Sequence, residues 1–191
     1  MATQPVTVPG ADLVLRPFDR EDLPDLLAAF ADPLVRTWNP GPDDEDGVGA
    51  GQRWMDDRND WSDGTHASWA VGGLDGRLLG SVSLYKIDHD QLDAEVGYWL
   101  APWARGRGWG ARAVDAAAGF GFGDLDLHRL HLFHAEENVG SCRLATAAGF
   151  ALEGRLRQSY RYPDGNYHDE HLHARLASDS WSFPPGLPQP G

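Results

Sequence analysis

The segment between Arg105 and Gly110 limits most strongly what this chain can fold into. It reads RGRGWG, it follows an apolar stretch that ends at Leu100, and it leads directly into a helical pattern. Glycine permits the backbone conformations that turn successive amides toward one point, and a helix N-terminus adds its own N–H groups there. The segment therefore predicts an anion-binding turn between a strand and a helix, of the kind that holds a pyrophosphate.

The charge of the chain makes this turn an exception. The 191 residues contain 29 Asp and Glu against 16 Lys and Arg, which gives a formal net charge of -13. Such a surface repels phosphate, so we expect neither a general nucleic-acid binder nor a binder of anionic membranes. Between Val96 and Val114, however, there are three arginines and no acidic residue. An anion is therefore expected at this turn and not elsewhere.

Cysteine usage and hydropathy predict a cytoplasmic protein. The single cysteine, Cys142, excludes an internal disulfide framework and a metal site built from several cysteines. Residues 1–12 lack the basic and apolar regions of a signal peptide, and no apolar run approaches the roughly 18 residues of a membrane span.

The order of apolar runs predicts one domain over residues 1–177 and a Pro/Gly-rich tail over 178–191. Runs at 67–71, 78–87 and 94–100, with a hairpin signal at Asp75-Gly76, predict an antiparallel meander. A strand at 13–17 and helices at 23–30 and 52–59 are expected before it. After the glycine-rich turn we expect a helix, a strand at 129–134, a helix at 141–148 and two strands joined by a turn at 163–166.

Three classes of phosphate site compete for the turn. A Walker P-loop needs Gly-Lys-Ser/Thr, but the only lysine is Lys86, within a predicted strand. Gly106, Gly108 and Ala111 satisfy the Rossmann spacing G-x-G-x-x-A, although that fingerprint should directly follow the strand of a βαβ unit. The third class is a coenzyme A site.

Several motifs in chain order resemble the GNAT superfamily of N-acetyltransferases, and within it the RimJ/RimL-like subgroup that modifies ribosomal-protein N-termini. The resemblance covers residues 13–176. The motifs are EVGYWL at 95–100 followed by Arg105-x-x-Gly108-x-Gly110, LVLRP at 13–17, Asn138-x-x-Ser141-x-x-Leu144 with Gly149-Phe150, and Asp164-Gly165 followed by Asp169.

The resemblance implies an α/β (α+β) GNAT fold, in which helices flank a mixed, mostly antiparallel and splayed sheet. It also implies acetyl-CoA as the acyl-donor substrate, wedged between strands 95–100 and 129–134, with pantetheine on the backbone and pyrophosphate on the turn amides. The residues implied in binding are Trp99, Leu100, Arg105, Gly106, Arg107, Gly108, Trp109, Gly110, Ala111, Asn138 and Ser141.

The implied activity is an N-acetyltransferase that moves an acetyl group to a primary amine by direct attack in a ternary complex. The amine belongs to a protein N-terminus or a small molecule. Alternatives on the same fold are an antibiotic or polyamine acetylase and a user of succinyl-CoA. An alternative of another class is a CoA-binding module without turnover.

Glu95 and Ser141 are the candidate catalytic residues. An attacking amine must lose a proton, and Glu95 stands where the family places a glutamate that acts as base through water. Burial beside Trp99 is expected to raise its pKa; the alternative is a solvent-facing strand residue. Many relatives carry a tyrosine where this chain has Ala145, which leaves Ser141 as the hydroxyl near the thiol, or simply as a helix N-cap. Asn138 either contacts the cofactor or caps the helix.

Trp38 and His134 are the candidate acceptor-binding residues. Trp38 falls in the region that lines the acceptor pocket in the family, with core packing as its alternative, and His134 ends a strand that faces the cleft. Residues 19–63 contain thirteen acids and four bases, a net -9, which favours a cationic peptide or polyamine as acceptor. We predict no metal site, and either a monomer or a homodimer.

Overall fold

The computed structural model describes residues 6–7, 13–42 and 47–181, and its centre is a sheet of eight strands. The strands lie in the order β1-β2-β3-β4-β5-β6-β8-β7. Every neighbouring pair is antiparallel except β5 and β6, which are parallel. The strands are β1 (Val6–Thr7), β2 (Leu13–Arg16), β3 (His66–Gly73), β4 (Leu78–Asp88), β5 (Asp93–Leu100), β6 (Arg129–Ala135), β7 (Ala151–Arg161) and β8 (Tyr167–Leu176).

The described residues form five α-helices around this sheet. The first three precede the meander, the fourth connects the two parallel strands, and the fifth connects β6 to β7. Trp99 of β5 packs against Phe30 and Trp54, whereas its neighbour Leu100 lies beside Gly110, so the helices cover both faces of β5. The helices are α1 (Leu23–Phe30), α2 (Pro33–Trp38), α3 (Gly47–Asn59), α4 (Trp109–Gly123) and α5 (Val139–Ala147).

Strands β5 and β6 diverge along their length. On one side, β4 pairs with β5 as far as Leu100. On the other side, β6 pairs with β5 only at Asp93, Ala94 and Glu95. Residues 96–100 and 132–135 therefore border a gap, here called the β5–β6 opening. The mixed, mostly antiparallel and splayed sheet that the resemblance implied is confirmed, and the doubly wound Rossmann alternative is wrong because β5 belongs to an antiparallel meander.

Two predicted helix boundaries are wrong. Helix α3 begins at Gly47 rather than at residue 52, and its glycine at 51 is a packing position, since a Cβ on Gly51 would lie 2.6 Å from Leu23 Cδ1. Helix α5 begins at Val139 rather than at Ser141, because Asn138 caps it. These corrections lengthen both helices toward their N-termini.

Two sequence predictions concern residues outside the described ranges. The acidic run at 43–46 lies there, as do residues 182–191 of the predicted tail. Strand β8 ends at Leu176, and the division into a domain over 1–177 and a tail over 178–191 stays a prediction.

Candidate functional site

The β5–β6 opening starts at a glutamate. Glu95 of β5 pairs with His131 of β6, and the strand pairing stops after this residue. Its side chain is 11% exposed, with one carboxylate oxygen 2.8 Å from the hydroxyl of Tyr85 and the other 2.7 Å from Lys86 Nζ. The carboxylate is thus held at the apex of the opening by one neutral and one cationic donor.

The neighbours of Glu95 on β4 depend on an irregularity of that strand. Tyr85 lies directly opposite Glu95, and the regular register is lost between Tyr85 and Asp88. Lys86 lies in this bulge with a positive φ of 53°, which re-aims its side chain to the face that carries Glu95. Burial first, and then the charge of Glu95, raise the pKa of Tyr85, so its phenol stays a hydrogen-bond donor.

The glycine-rich turn lies at the wide end of the opening. Helix α4 begins at Trp109, Gly108 caps it with φ 73°, and the first helical bond of the segment joins the Arg112 amide to the Gly108 carbonyl. The amides of residues 109–111 therefore have no partner within the helix and are available to an anion. A Cβ on Gly106, whose φ is 78°, would meet open space, so a ligand can approach the backbone there.

The arginine side chains of the turn bind other groups. Arg105 donates to Asp32 at 2.8 Å, and this contact lowers the pKa of the Asp32 carboxyl, which also caps α2. The Arg107 guanidinium lies 4.9 Å from the ring centre of Trp109. The arginines therefore brace the turn and contribute positive charge, while the backbone supplies the directed donors.

Helix α5 borders the opening opposite β5. The Asn138 side chain accepts a hydrogen bond from the Ser141 amide at 3.2 Å, so Asn138 is the N-cap and the predicted N-cap role of Ser141 is wrong. Tyr98 of β5 reaches across and donates to the Ser141 carbonyl at 3.3 Å. Burial raises the pKa of Tyr98 to about 12. The Ser141 hydroxyl therefore does not cap the helix.

Side chains from α2, from β7 and the residue that follows it, and from β8 form a second cluster. The Trp38 ring lies 5.5 Å from that of Tyr162 and 5.9 Å from that of His168. Glu170 is 7% exposed and accepts hydrogen bonds from Tyr162 and Ser159, both at 2.8 Å. We call Trp38, Ser159, Tyr162, His168 and Glu170 the Trp38 cluster.

The comparisons with known proteins come to the same family as the motifs. Residues 12–151 match the family model described as Acetyltransferase (GNAT) domain. The chain belongs to this family. The GNAT chain is 32% identical to the ribosomal-protein-serine acetyltransferase of Escherichia coli (strain K12) over 99 residues, 52% of this chain and 55% of the relative. It is 29% identical to the spermidine N(1)-acetyltransferase of Vibrio cholerae serotype O1 over 107 residues, 56% of this chain and 61% of the relative.

A solved GNAT structure extends the likeness to nearly the whole fold. RimL, a ribosomal L7/L12 α-N-protein acetyltransferase in complex with coenzyme A, superposes with a TM-score of 0.80 at 21% identity, covering 91% of this chain and 98% of that one. The curated relatives named above are matched over only a little more than half of their length. The name of the RimL structure includes coenzyme A.

The structure brings most of the predicted site residues of this GNAT chain to the opening. Glu95 lies at its apex, Trp99 and Leu100 on its β5 edge, the turn residues 105–111 at its wide end, and Ser141 with Asn138 on its α5 side. The contacts of the Glu95 carboxylate are Tyr85 and Lys86, not the Trp99 expected beside it, because Trp99 packs on Phe30. The Trp38 ring packs against Tyr162 and His168 in the Trp38 cluster.

His134 lies near the end of β6, at the border of the opening, but its side chain is buried. It is 4% exposed, and its Nε2 lies 3.2 Å from His173 Nε2. Together with His171 and Cys142 it offers ligand atoms that all lie within 4.8 Å of one another. A role of His134 in acceptor binding stays a prediction, and the described neighbours of its ring are these side chains.

No helix in the described part of this GNAT chain is both long and apolar enough to cross a membrane.

Three residues near the opening were not predicted from the sequence: Tyr85, Lys86 and Tyr98. The turn at 89–93 was a usable signal for Tyr85, because a hairpin closed there places Tyr85 nearly opposite Glu95.

Proposed function

We propose that this chain is an acetyl-CoA-dependent N-acetyltransferase whose acceptor is a primary amine. The observation that carries the proposal is the position of Glu95: β6 leaves β5 immediately after it, so a buried carboxylate stands where a ligand between the two strands would end. At the other end of the opening, the N-terminal amides of α4 would hold the pyrophosphate of the donor.

The donor fits the residues that are present. Val96–Leu100 have an unpaired backbone edge toward the opening, which offers N–H and C=O groups to an extended amide chain such as pantetheine. Trp99 and Leu100 belong to this edge. Gly106 leaves room beside the turn for the phosphates. The name of the RimL structure, with its bound coenzyme A, supports the same donor.

The proposed reaction is direct transfer in a ternary complex. Glu95 accepts the proton of the acceptor ammonium, through a water, and the neutral amine nitrogen forms a bond to the acetyl carbon. The carbon–sulfur bond then breaks, and the second proton of the attacking nitrogen passes to the leaving thiolate through the Ser141 hydroxyl, which gives its own proton to sulfur and takes the proton from nitrogen. No nucleophile of the chain is acylated, and the products are the acetamide and coenzyme A.

The acceptor that we propose carries positive charge. The Glu170 side chain lies within the aromatic Trp38 cluster, where it accepts hydrogen bonds from Tyr162 and Ser159. Aromatic faces and carboxylates attract ammonium groups. The ribosomal-protein and spermidine acetyltransferases among the relatives support a basic peptide or a polyamine as the two acceptors to be tested.

Thiol release separates an enzyme from a binding module. The full chain is mixed with acetyl-CoA and, in turn, spermidine, a basic peptide with a free N-terminus and an uncharged peptide. We expect release of free thiol only when an amine is present, saturating with amine concentration, and mass spectrometry should find one added acetyl group. Saturable binding of coenzyme A without thiol release for any amine would contradict the proposal.

The charge of the acceptor is tested at Glu170. Glu170→Gln keeps the hydrogen-bonding shape but removes the negative charge, so kcat/KM for the cationic acceptor should fall roughly three- to tenfold. The KM of acetyl-CoA should be unchanged. Glu21→Gln removes the same charge at an exposed position just before α1 and is the matched control. Equal rates for Glu170→Gln and Glu21→Gln would rule out a cation-selecting role for Glu170.

A further inference from the structure

Four side chains from three elements converge beside the β5–β6 opening. They are His134 of β6, Cys142 of α5, and His171 and His173 of β8, here called the His/Cys cluster. Each offers one ligand atom, and all four atoms lie within 4.8 Å of one another. No step of the proposed acetyl transfer uses them, and nothing in the fold requires three imidazoles and a thiol to meet.

The hydrogen bonds of two imidazoles determine where their lone pairs point. His134 Nδ1 lies 2.8 Å from the carbonyl oxygen of Ala135, and His173 Nδ1 lies 3.2 Å from that of Phe150. A carbonyl oxygen only accepts, so each Nδ1 carries a proton and each Nε2 of the neutral ring carries a lone pair. The same carbonyl contacts are typical of imidazoles that bind metals.

The two Nε2 atoms face each other at 3.2 Å. Two lone pairs at this distance repel, so a cation must lie between them to make the contact favourable. A shared proton is one such cation, but it needs one ring to be an imidazolium. Both rings are buried, at 4% and 1% exposure, and the groups that the cluster turns toward them are the His171 imidazole and the Cys142 thiol, neither of which is a carboxylate that could pair with an imidazolium.

The distances fit a divalent metal with tetrahedral geometry. Zinc bonds of about 2.0–2.1 Å to nitrogen and about 2.3 Å to sulfur place two nitrogens about 3.4 Å apart and a nitrogen and a sulfur about 3.6 Å apart. The observed separations are 3.2 Å between the two Nε2 atoms and 3.9 Å between Cys142 Sγ and His173 Nε2. Each differs from the tetrahedral value by a few tenths of an ångström.

His171 completes the set. Its ring centre lies 5.4 Å from that of His134, and its Nδ1 is buried without a hydrogen-bond partner among the described residues. Its Nε2 faces Glu136 Oε1 at 3.9 Å. A histidine that binds zinc through one ring nitrogen commonly donates the N–H of its other ring nitrogen to a carboxylate. Glu136 is placed for this role behind His171.

We propose that His134, Cys142, His171 and His173 bind one Zn²⁺. Three neutral imidazoles and one thiolate suit zinc, and the cysteine loses its proton when the metal binds. The ion would join β6, β8 and α5 at the wall of the opening. This site is separate from the acetyl-transfer proposal, and its test needs no activity.

Cobalt is the probe for the ligand set. The full chain, freed of metal with a chelator, is titrated with Co²⁺ and then with Zn²⁺. We expect visible bands of tetrahedral cobalt and a near-ultraviolet thiolate-to-cobalt band that saturate at one ion per chain and disappear when Zn²⁺ displaces the cobalt. Absence of the thiolate band overturns the proposal.

Variants and chemical protection test the individual ligands. Cys142→Ser should remove the thiolate band, and His173→Ala should weaken Zn²⁺ binding by more than the about 10–100-fold typical of losing an outer partner. His128→Ala, at an exposed histidine outside the cluster, is the control and should bind as the parent does. Zn²⁺ should also slow alkylation of Cys142 in the unaltered chain. Unchanged alkylation, or equal Zn²⁺ affinity in His173→Ala and His128→Ala, contradicts the site.

Discussion

Replacing Glu95 by glutamine is expected to lower the turnover of acetyl-CoA with an amine about 10²- to 10⁴-fold, the usual contribution of a positioned general base. Glutamine keeps the size of the side chain and can still accept from Tyr85 or Lys86, but it cannot take a proton. The defect should be largest near neutral pH and should shrink as pH rises, because the neutral fraction of the amine then increases without a base. Initial rates across a pH series measure this.

The control for Glu95 must separate chemistry from packing. Glu153→Gln makes the same change in a carboxylate that pairs with Arg129 on the surface, and it should leave turnover unchanged. The affinity for coenzyme A should be kept in both variants, since Glu95 stands at the apex and the phosphates would bind at the turn. A pH-rate profile of Glu95→Gln parallel to that of the parent would remove Glu95 as the base.

The positions of the strands that form the opening follow from local sequence signals. Apolar runs bounded by turn residues predicted β3, β4 and β5, and the glycine-rich turn predicted the start of α4. Each signal lies within a few residues of the element that it defines, so it can be seen without knowledge of the tertiary structure. The divergence of β5 and β6 came from the family resemblance alone, because strand pairing between distant segments leaves no such local mark.

Lys86, one of the two partners of Glu95, shows what could not be predicted. Lys86 reaches the carboxylate only because β4 bulges and Lys86 adopts a positive φ, a conformation that lysine does not favour. Period-two alternation places Lys86 on the opposite face. The packing of Trp99 on Phe30 likewise depends on α1, a helix far away in the sequence.

The His/Cys cluster was missed for a related reason. Strand alternation places His171 and His173 on one face of β8, whereas His131 and His134, three residues apart, lie on opposite faces of β6. The cluster takes one histidine from β6 and two from β8. Only the antiparallel register, in which His134 lies opposite His171, brings them together.

Replacing Gly108 by valine is expected to weaken coenzyme A binding about 5- to 150-fold. Gly108 caps α4 with φ 73°, and a β-branched residue in this conformation costs about 1–3 kcal/mol. The turn would relax toward negative φ. The free amides of residues 109–111 would then rotate and would no longer point together toward the phosphates. Binding would have to restore the strained turn, and that free energy converts to the stated loss of affinity. Calorimetric titration with coenzyme A measures it.

Two further variants separate loss of the turn from loss of the fold. Gly119→Ala changes a glycine inside α4 whose added Cβ meets open space, so coenzyme A should bind as in the parent. Gly106→Ala introduces backbone strain at φ 78° without a steric contact, and it should weaken binding in the same direction as Gly108→Val. Parent-like affinity in Gly108→Val, with a thermal midpoint that shows a folded chain, would mean that the phosphates bind elsewhere, because the strained turn would then contribute nothing to the donor site.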